Sequence, residues 1–190
     1  MFKDLVMKSR SCRGFDSDKK VKIEDIKTLI SYVRYCPQAR NLQALKYRIV
    51  TEDKEVKVLQ DNTVYGGALP KLNLPFDNQE PTSFIVICLD KTINDNMEAH
   101  KIDIGIVAQT ILLGAQEMGI DGIMIGSFHK KNIQEGLALD ENYEIGLVIP
   151  LGYSVETTKI VDYETGSINY YRDSENVHYI PKRKLEELII

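Results

Sequence analysis

The stretch MEAHKIDIGIVAQTILLGAQEMG, residues 97–119, decides how this chain is read. Apolar residues recur through it at helical spacing and no proline interrupts it, so it is expected to form one helix. The apolar residues do not keep to one stripe. Ile102, Ile104, Ile106, Val107, Ala108, Ile111, Leu112, Leu113 and Ala115 surround almost the whole circumference, the signature of a helix buried on all sides. At 1.5 Å per residue, its roughly 23 positions span about 34 Å. Asp103 and Gln109 break the apolar run, which falls short of the roughly 20 apolar residues of a membrane span. Gly105, Ala108, Gly114 and Ala115 are small enough to let another backbone approach. Two readings follow: a single central core helix, or a helix covered in part by a partner subunit, because 190 residues have difficulty enclosing it alone.

Working outward, the composition sets the class. A chain of 190 residues with 43% hydrophobic and 27% charged residues suits one globular domain over residues 1–190. The net charge of −4 argues against a general nucleic-acid binder, whose footprint is a basic excess. Cys12, Cys36 and Cys88 are an odd number, widely spaced and without CxxC pairs, which fits a reducing compartment and no zinc ribbon. The opening MFKDLVMKSRSCR is charged throughout and lacks an apolar signal core. A cytoplasmic protein without a membrane segment is expected.

Several elements flank the central helix. Residues 2–9 suit a short amphipathic helix, and residues 23–35 a second, poorly capped at Lys22 and ended by Pro37. Strands are expected at 47–51, 83–89, 121–126 and 144–153, with helices near 52–60 and 130–138. Pro150 demotes the last strand towards an edge or a bulge. Residues 61–82, with Tyr65, a Gly pair and three prolines, are irregular enough to be a lid or binding loop. From Ser154 onward the chain reads as an extended, aromatic-rich arm that must pack on something.

Few stretches carry chemistry by themselves. Arg10, Ser11 and Arg13 place two guanidinium forks and a hydroxyl within four residues, enough to wrap a phosphate; cations near a helix C-terminus are the plainer explanation. The amide-rich turn Pro37–Gln43 can read the edge of a heterocycle or simply face water. No dinucleotide fingerprint, P-loop or nucleophile elbow is present. The three histidines form no metal-binding spacing, and His100 with Asp103 reads as a surface pair.

Taken together and in order, these stretches resemble the nitroreductase family of FMN-dependent oxidoreductases. SRSCRGF is similar to that family's RRSxRxF, PQARNLQ to its PSAxNxQ, and DIGIVAQTILLGAQEMGIDG to its long central helix. IMIGSF, IPLGY and PKRKLEEL resemble its later motifs. Ser9, Gln38 and Ala44-Leu45 depart from the pattern, where the family usually has Arg, Ser and Pro-Trp. The resemblance implies an α+β fold with a mainly antiparallel sheet flanked by helices. It also implies an intertwined homodimer, with residues 154–190 wrapping the partner and FMN at the interface. Arg10, Ser11, Arg13 and one of Lys182 and Arg183 would hold the phosphate end. Gln38, Asn41 and Gln43 would face the ribityl chain or ring edge, and the backbone at Ile125 and Gly126 would lie beside the ring's N5. NADH or NADPH would deliver hydride, and a nitroaromatic, quinone or similar conjugated acceptor would remove it in a second half-reaction. No side chain is implied as an acid or base, and Tyr65 would belong to the substrate lid. Dehalogenating and flavin-fragmenting branches of the family stay open, as does a non-enzymatic dimer that binds a nucleotide phosphate through Arg10–Arg13.

Overall fold

The run Ser83–Asp90 (SFIVICLD) forms strand β2, and every residue in it is buried. In the computed structural model, which describes residues 1–67, 69, 72–164 and 166–190, this strand lies inside a four-stranded antiparallel sheet. The sheet runs in the order β1 (Leu45–Val50), β2, β4 (Tyr143–Gly152) and β3 (Asp121–Gly122). Ile85, Ile87 and Leu89 face a core built with α2 (Ile23–Val33) and α4 (Lys101–Glu117). Phe84, Val86 and Cys88 face a second core built with α3 (Asp53–Asn62) and α5 (Lys130–Gly136). The period of two along a strand thus divides one apolar run between two helical layers. The α+β fold with an antiparallel sheet flanked by helices is as expected.

Strand β4 corrects one expectation. It lies between β2 and β3 and is no edge. Its register pairs Ile87 with Leu147 and Cys88 with Ile145, so Gly146 is an extra, bulged residue. The bulge changes the phase: Ile145 packs with the α3/α5 core, whereas Leu147, Ile149 and Leu151 join the α2/α4 core. Pro150 is tolerated because its missing N–H faces β3, not β2: its carbonyl, on the same side, accepts from Ile123 N–H at 3.4 Å. There β3 ends after two residues, and the chain rejoins β4 only at Ile125, which exchanges two hydrogen bonds with Val148.

The central helix is shorter than its sequence pattern. A 3₁₀ turn over Met97–His100 precedes α4, and the Asn96 side chain caps that turn through Ala99 N–H. Asp103, Ile104, Val107, Ala108, Ile111, Gly114 and Ala115 are buried. Ile102, Gly105, Ile106, Gln109 and Leu113 lie on a stripe roughly opposite, at about 100° per residue. Ile102 is 77% exposed. The helix is apolar all round, yet the chain covers one side.

The segment after Ser154 is not a bare arm. It forms a second sheet, β5 (Thr158–Asp162) parallel to β7 (His178–Lys182), with β6 (Tyr171–Arg172) antiparallel to β7. Ahead of the whole fold, α1 (Phe2–Lys8) packs near α4 with no buried residue of its own. Pro70, one of the prolines expected to keep residues 61–82 irregular, lies outside the described residues. Among the described residues, no helix is long and apolar enough to cross a membrane.

Gly122 marks where α4, β3 and β4 meet. A Cβ there would lie 2.7 Å from Leu112 Cδ2 and 2.8 Å from the Pro150 carbonyl oxygen, and that backbone atom cannot swing aside. Gly122→Ala should therefore lose about 1–3 kcal/mol, as overpacked sites do. The urea midpoint measures this, and an unchanged midpoint would contradict the packing described.

Candidate functional site

Residues 11–16 are pinned on both sides by backbone hydrogen bonds, which fixes where Arg13 points. Cys12 N–H donates to Gly122 O at 3.1 Å, Phe15 N–H to Gln79 O at 2.9 Å and Val155 N–H to Gly14 O at 3.1 Å. Arg13 is only 8% exposed. Its Nη1 donates to Ser11 O at 3.2 Å and lies 3.3 Å from His178 Nε2, and its guanidinium carbon stands 4.7 Å above the Tyr170 ring. A guanidinium only donates, so His178 Nε2 accepts and the imidazole proton sits on Nδ1. The Arg13 backbone N–H donates to Glu156 Oε2 at 2.7 Å, and Glu156 also pairs with Arg172. Beside this cluster, Arg10 and Ser11 line an open groove of about 530 Å³ with Lys8, Gln116, Ser154 and Thr158.

The tail cation beside Arg13 is therefore Arg172. Lys182 ends β7, about 13 Å along the strand from His178 at roughly 3.3 Å per residue. Arg183 is held by Glu187 at 3.0 Å and lies 5.1 Å from the Tyr163 ring centroid. Neither of them has a hydrogen bond or ion pair with the Arg13 cluster among the described residues. Sequence reasoning missed Glu156, Tyr170, Arg172 and His178, since Glu156 and His178 meet Arg13 across 143 and 165 residues of chain. The aromatic density of YYRDSENVH was the one available signal.

Gln38, Asn41 and Gln43 sit on a 3₁₀ turn, Ala39–Asn41, between α2 and β1. Arg40, Asn41 and Gln43 have φ values of 50°, 54° and 50°, a left-handed backbone that side chains disfavour. Asn41 and Gln43 are exposed. Gln38 Oε1 is buried and finds no hydrogen-bond partner among the described residues. Ile125 is 3% exposed, whereas Gly126 is exposed, and nothing lies within 4 Å of where its Cβ would stand. Tyr65 is 8% exposed and packs with Ile123 and Ile125. It anchors the irregular segment against the Ile123–Ile125 stretch that leads into Gly126. His100 and Asp103, expected at the surface, are buried.

The two groups of residues lie at opposite ends of α4. The turn is bonded to Asp103 in the first turn, through Ala39 N–H at 2.9 Å. Arg10 and Ser11 share their groove with Gln116 near the last turn. Thirteen residues separate those ends, about 20 Å at 1.5 Å per residue. One small ligand cannot touch both within one chain.

An antiparallel sheet between helical layers, with a buried basic cluster and an amide-bearing turn, defines an α+β fold of a known kind. The family model described as "Nitroreductase family" matches residues 6–153. The chain belongs to the nitroreductase family. Solved structures share the fold. A nitroreductase family protein from Streptococcus pneumoniae TIGR4 is 19% identical, with a TM-score of 0.69 over 87% of this chain and 96% of that one. A nitroreductase family protein from Clostridium difficile 630 is 22% identical, with a TM-score of 0.64 over 80% and 84%. A candidate nitroreductase from Exiguobacterium sibiricum 255-15, solved in complex with FMN, is 17% identical, with a TM-score of 0.67 over 82% and 89%.

The electrostatics of the Arg13 cluster are lopsided, with two guanidinium groups and one carboxylate. Burial, then the charges of Arg13 and Arg172, lower the His178 pKa from 6.5 to about 4. Burial likewise pushes the Cys12 thiol up to about 12, leaving it protonated and inert at neutral pH. Between pH 6.5 and 4 the unfolded chain binds a proton at His178 that the folded chain does not. Stability should then fall as the pH drops, by about 2 kcal/mol between pH 7 and 5 from this group. Urea unfolding of wild type and His178→Asn at both pH values checks it, and identical pH slopes would refute the assignment.

Proposed function

We propose that the chain forms a homodimeric, FMN-dependent oxidoreductase. It takes hydride from NADH or NADPH and reduces a nitroaromatic, quinone or similar conjugated acceptor. The observation that carries this reading is the placement of the two residue groups at opposite ends of α4, with a partly exposed, mainly apolar stripe between them. Antiparallel packing of two copies through Ile102, Ile106 and Leu113 sets the first turn of one α4 beside the last turn of the other. Arg10, Ser11 and Arg13 of one copy then meet Gln38, Asn41 and Gln43 of the partner subunit. Family membership and the FMN held by the Exiguobacterium protein support the choice of cofactor.

The residues present suit such a group. Nε of Arg10, Arg13 and Arg172 is buried in each case without an acceptor among the described residues, and Gln38 Oε1 lacks a donor. Buried donors left over in a basic cluster favour an anion, and free amides favour a ring edge with alternating donors and acceptors. When bound, FMN supplies the two-electron chemistry. Arg10 and Ser11 bind phosphate through charge-assisted hydrogen bonds. Arg13 is preorganised by His178 and Tyr170 and holds fixed positive charge where negative charge develops. The bare backbone at Gly126 leaves room for a flat ring, and the segment anchored by Tyr65 selects what stacks there.

Three results test this. The purified protein, reconstituted with FMN, should show a flavin band that bleaches anaerobically with NADH or NADPH and returns on adding a quinone. Arg13→Ala should weaken FMN binding by about tenfold or more, the usual loss for a hydrogen-bonded charge; unchanged affinity would remove Arg13 from the site. Ile102→Arg with Gln109→Arg should leave the single chain folded, because both positions are exposed. The pair should halve the mass seen by light scattering and release the flavin. A flavin-loaded monomer would overturn the shared site.

A further inference from the structure

His100 and Asp103 form a buried pair that neither the core nor the phosphate cluster needs. Their side chains are 1% and 5% exposed, and His100 Nδ1 lies 2.9 Å from Asp103 Oδ2. The other carboxylate oxygen, Oδ1, accepts Ala39 N–H at 2.9 Å. Ala39 opens the 3₁₀ turn, and three of the next four residues, Arg40, Asn41 and Gln43, hold left-handed φ angles. Non-glycine residues stay in that region only where the surroundings hold them there. Within the turn Asn41 N–H donates to Gln38 O at 3.0 Å and Leu42 N–H to Ala39 O at 3.1 Å, bonds that close the turn on itself but do not tie it to the rest of the fold. Asp103, fixed on the first turn of α4, does grip it, and a carboxylate can only accept, so it accepts one hydrogen bond from Ala39 N–H and one from His100 Nδ1–H. His100 in turn fixes the carboxylate's rotation, leaving Oδ1 aimed at Ala39.

We infer that Asp103, braced by His100, is a positioning residue that holds the Gln38–Gln43 turn in the conformation that presents its amides to the cofactor. The inference rests on the flavin reading for what the turn is presented to, but the grip on the turn stands apart from it. An orienting partner one shell out from a ligand is commonly worth ten- to a hundredfold in affinity.

The experiment pairs amide hydrogen exchange at Ala39 in the cofactor-free protein with FMN titration. Asp103→Ala should speed exchange at Ala39 about a hundredfold and raise the FMN Kd about tenfold. In an Asn41→Ala, Gln43→Ala background the same change should raise the Kd less than twofold, since the amides it positions are gone. A purely structural role would give equal losses in both backgrounds and would overturn the proposal. Asp103→Asn keeps an acceptor for Ala39 and should retain its protection. His100→Phe keeps the ring's bulk and should lose about threefold in affinity, so a decisive variant remains if Asp103→Ala does not fold. Unchanged Ala39 exchange and unchanged affinity in His100→Phe would also overturn the proposal. If wild type binds no FMN, the flavin reading fails by itself and the exchange arm alone judges the grip.

Discussion

A strand with no face towards water has to be covered twice. β2 imposes that condition, and the layout of the molecule follows from it. Helices α2 and α4 close one face and α3 and α5 the other. The strand's neighbours can then be half-polar, as Lys46 and Arg48 on β1 show. Once α4 lies against the sheet, its second apolar stripe has nowhere to go within the chain. A protein that satisfies β2 fully thereby leaves α4 half satisfied. Residual apolar surface of that kind favours association by the same burial that folds the core.

Much of this was legible in the sequence because it depends on local periodicity. SFIVICL gave a two-faced strand, and the 97–119 stretch gave a helix too apolar for one partner. What was not legible depends on pairing across long stretches of chain. Pro150 looked like an edge marker, since sequence does not tell which side of a strand its missing N–H faces. His100 and Asp103 looked like a surface pair, because i,i+3 spacing fixes proximity but not burial. That Tyr65 is buried against Ile123 and Ile125 was likewise not legible from the irregular segment around it. The resemblance pointed to Lys182 and Arg183 as the tail's cations. Within one chain the tail's own sheet brings Arg172 and His178 to the Arg13 cluster, a pairing that no spacing in the sequence announces.

The Arg13 cluster also shows how a buried cation is kept in place. Arg13 and Arg172 have one carboxylate between them, and aromatic faces do part of the remaining work: Tyr170 lies under Arg13 and Phe76 near Arg172. Neutral His178 accepts a hydrogen bond without adding charge, whereas a protonated imidazole would repel both guanidinium groups. The site is thus basic but restrained, able to attract an anion without being neutralised by its own side chains.

The span of α4 carries a consequence of another kind. In the proposed dimer its two ends carry different halves of one site, and the helix works as a ruler as well as a core element. Substitutions on its surface alter chemistry locally. Adding or removing one residue rotates one end by about 100° and shifts it by 1.5 Å relative to the other. Such a change would turn the Asp103 end away from the turn, or the Gln116 end away from the groove, with every side chain otherwise intact. Length along this helix is therefore far less negotiable than residue identity.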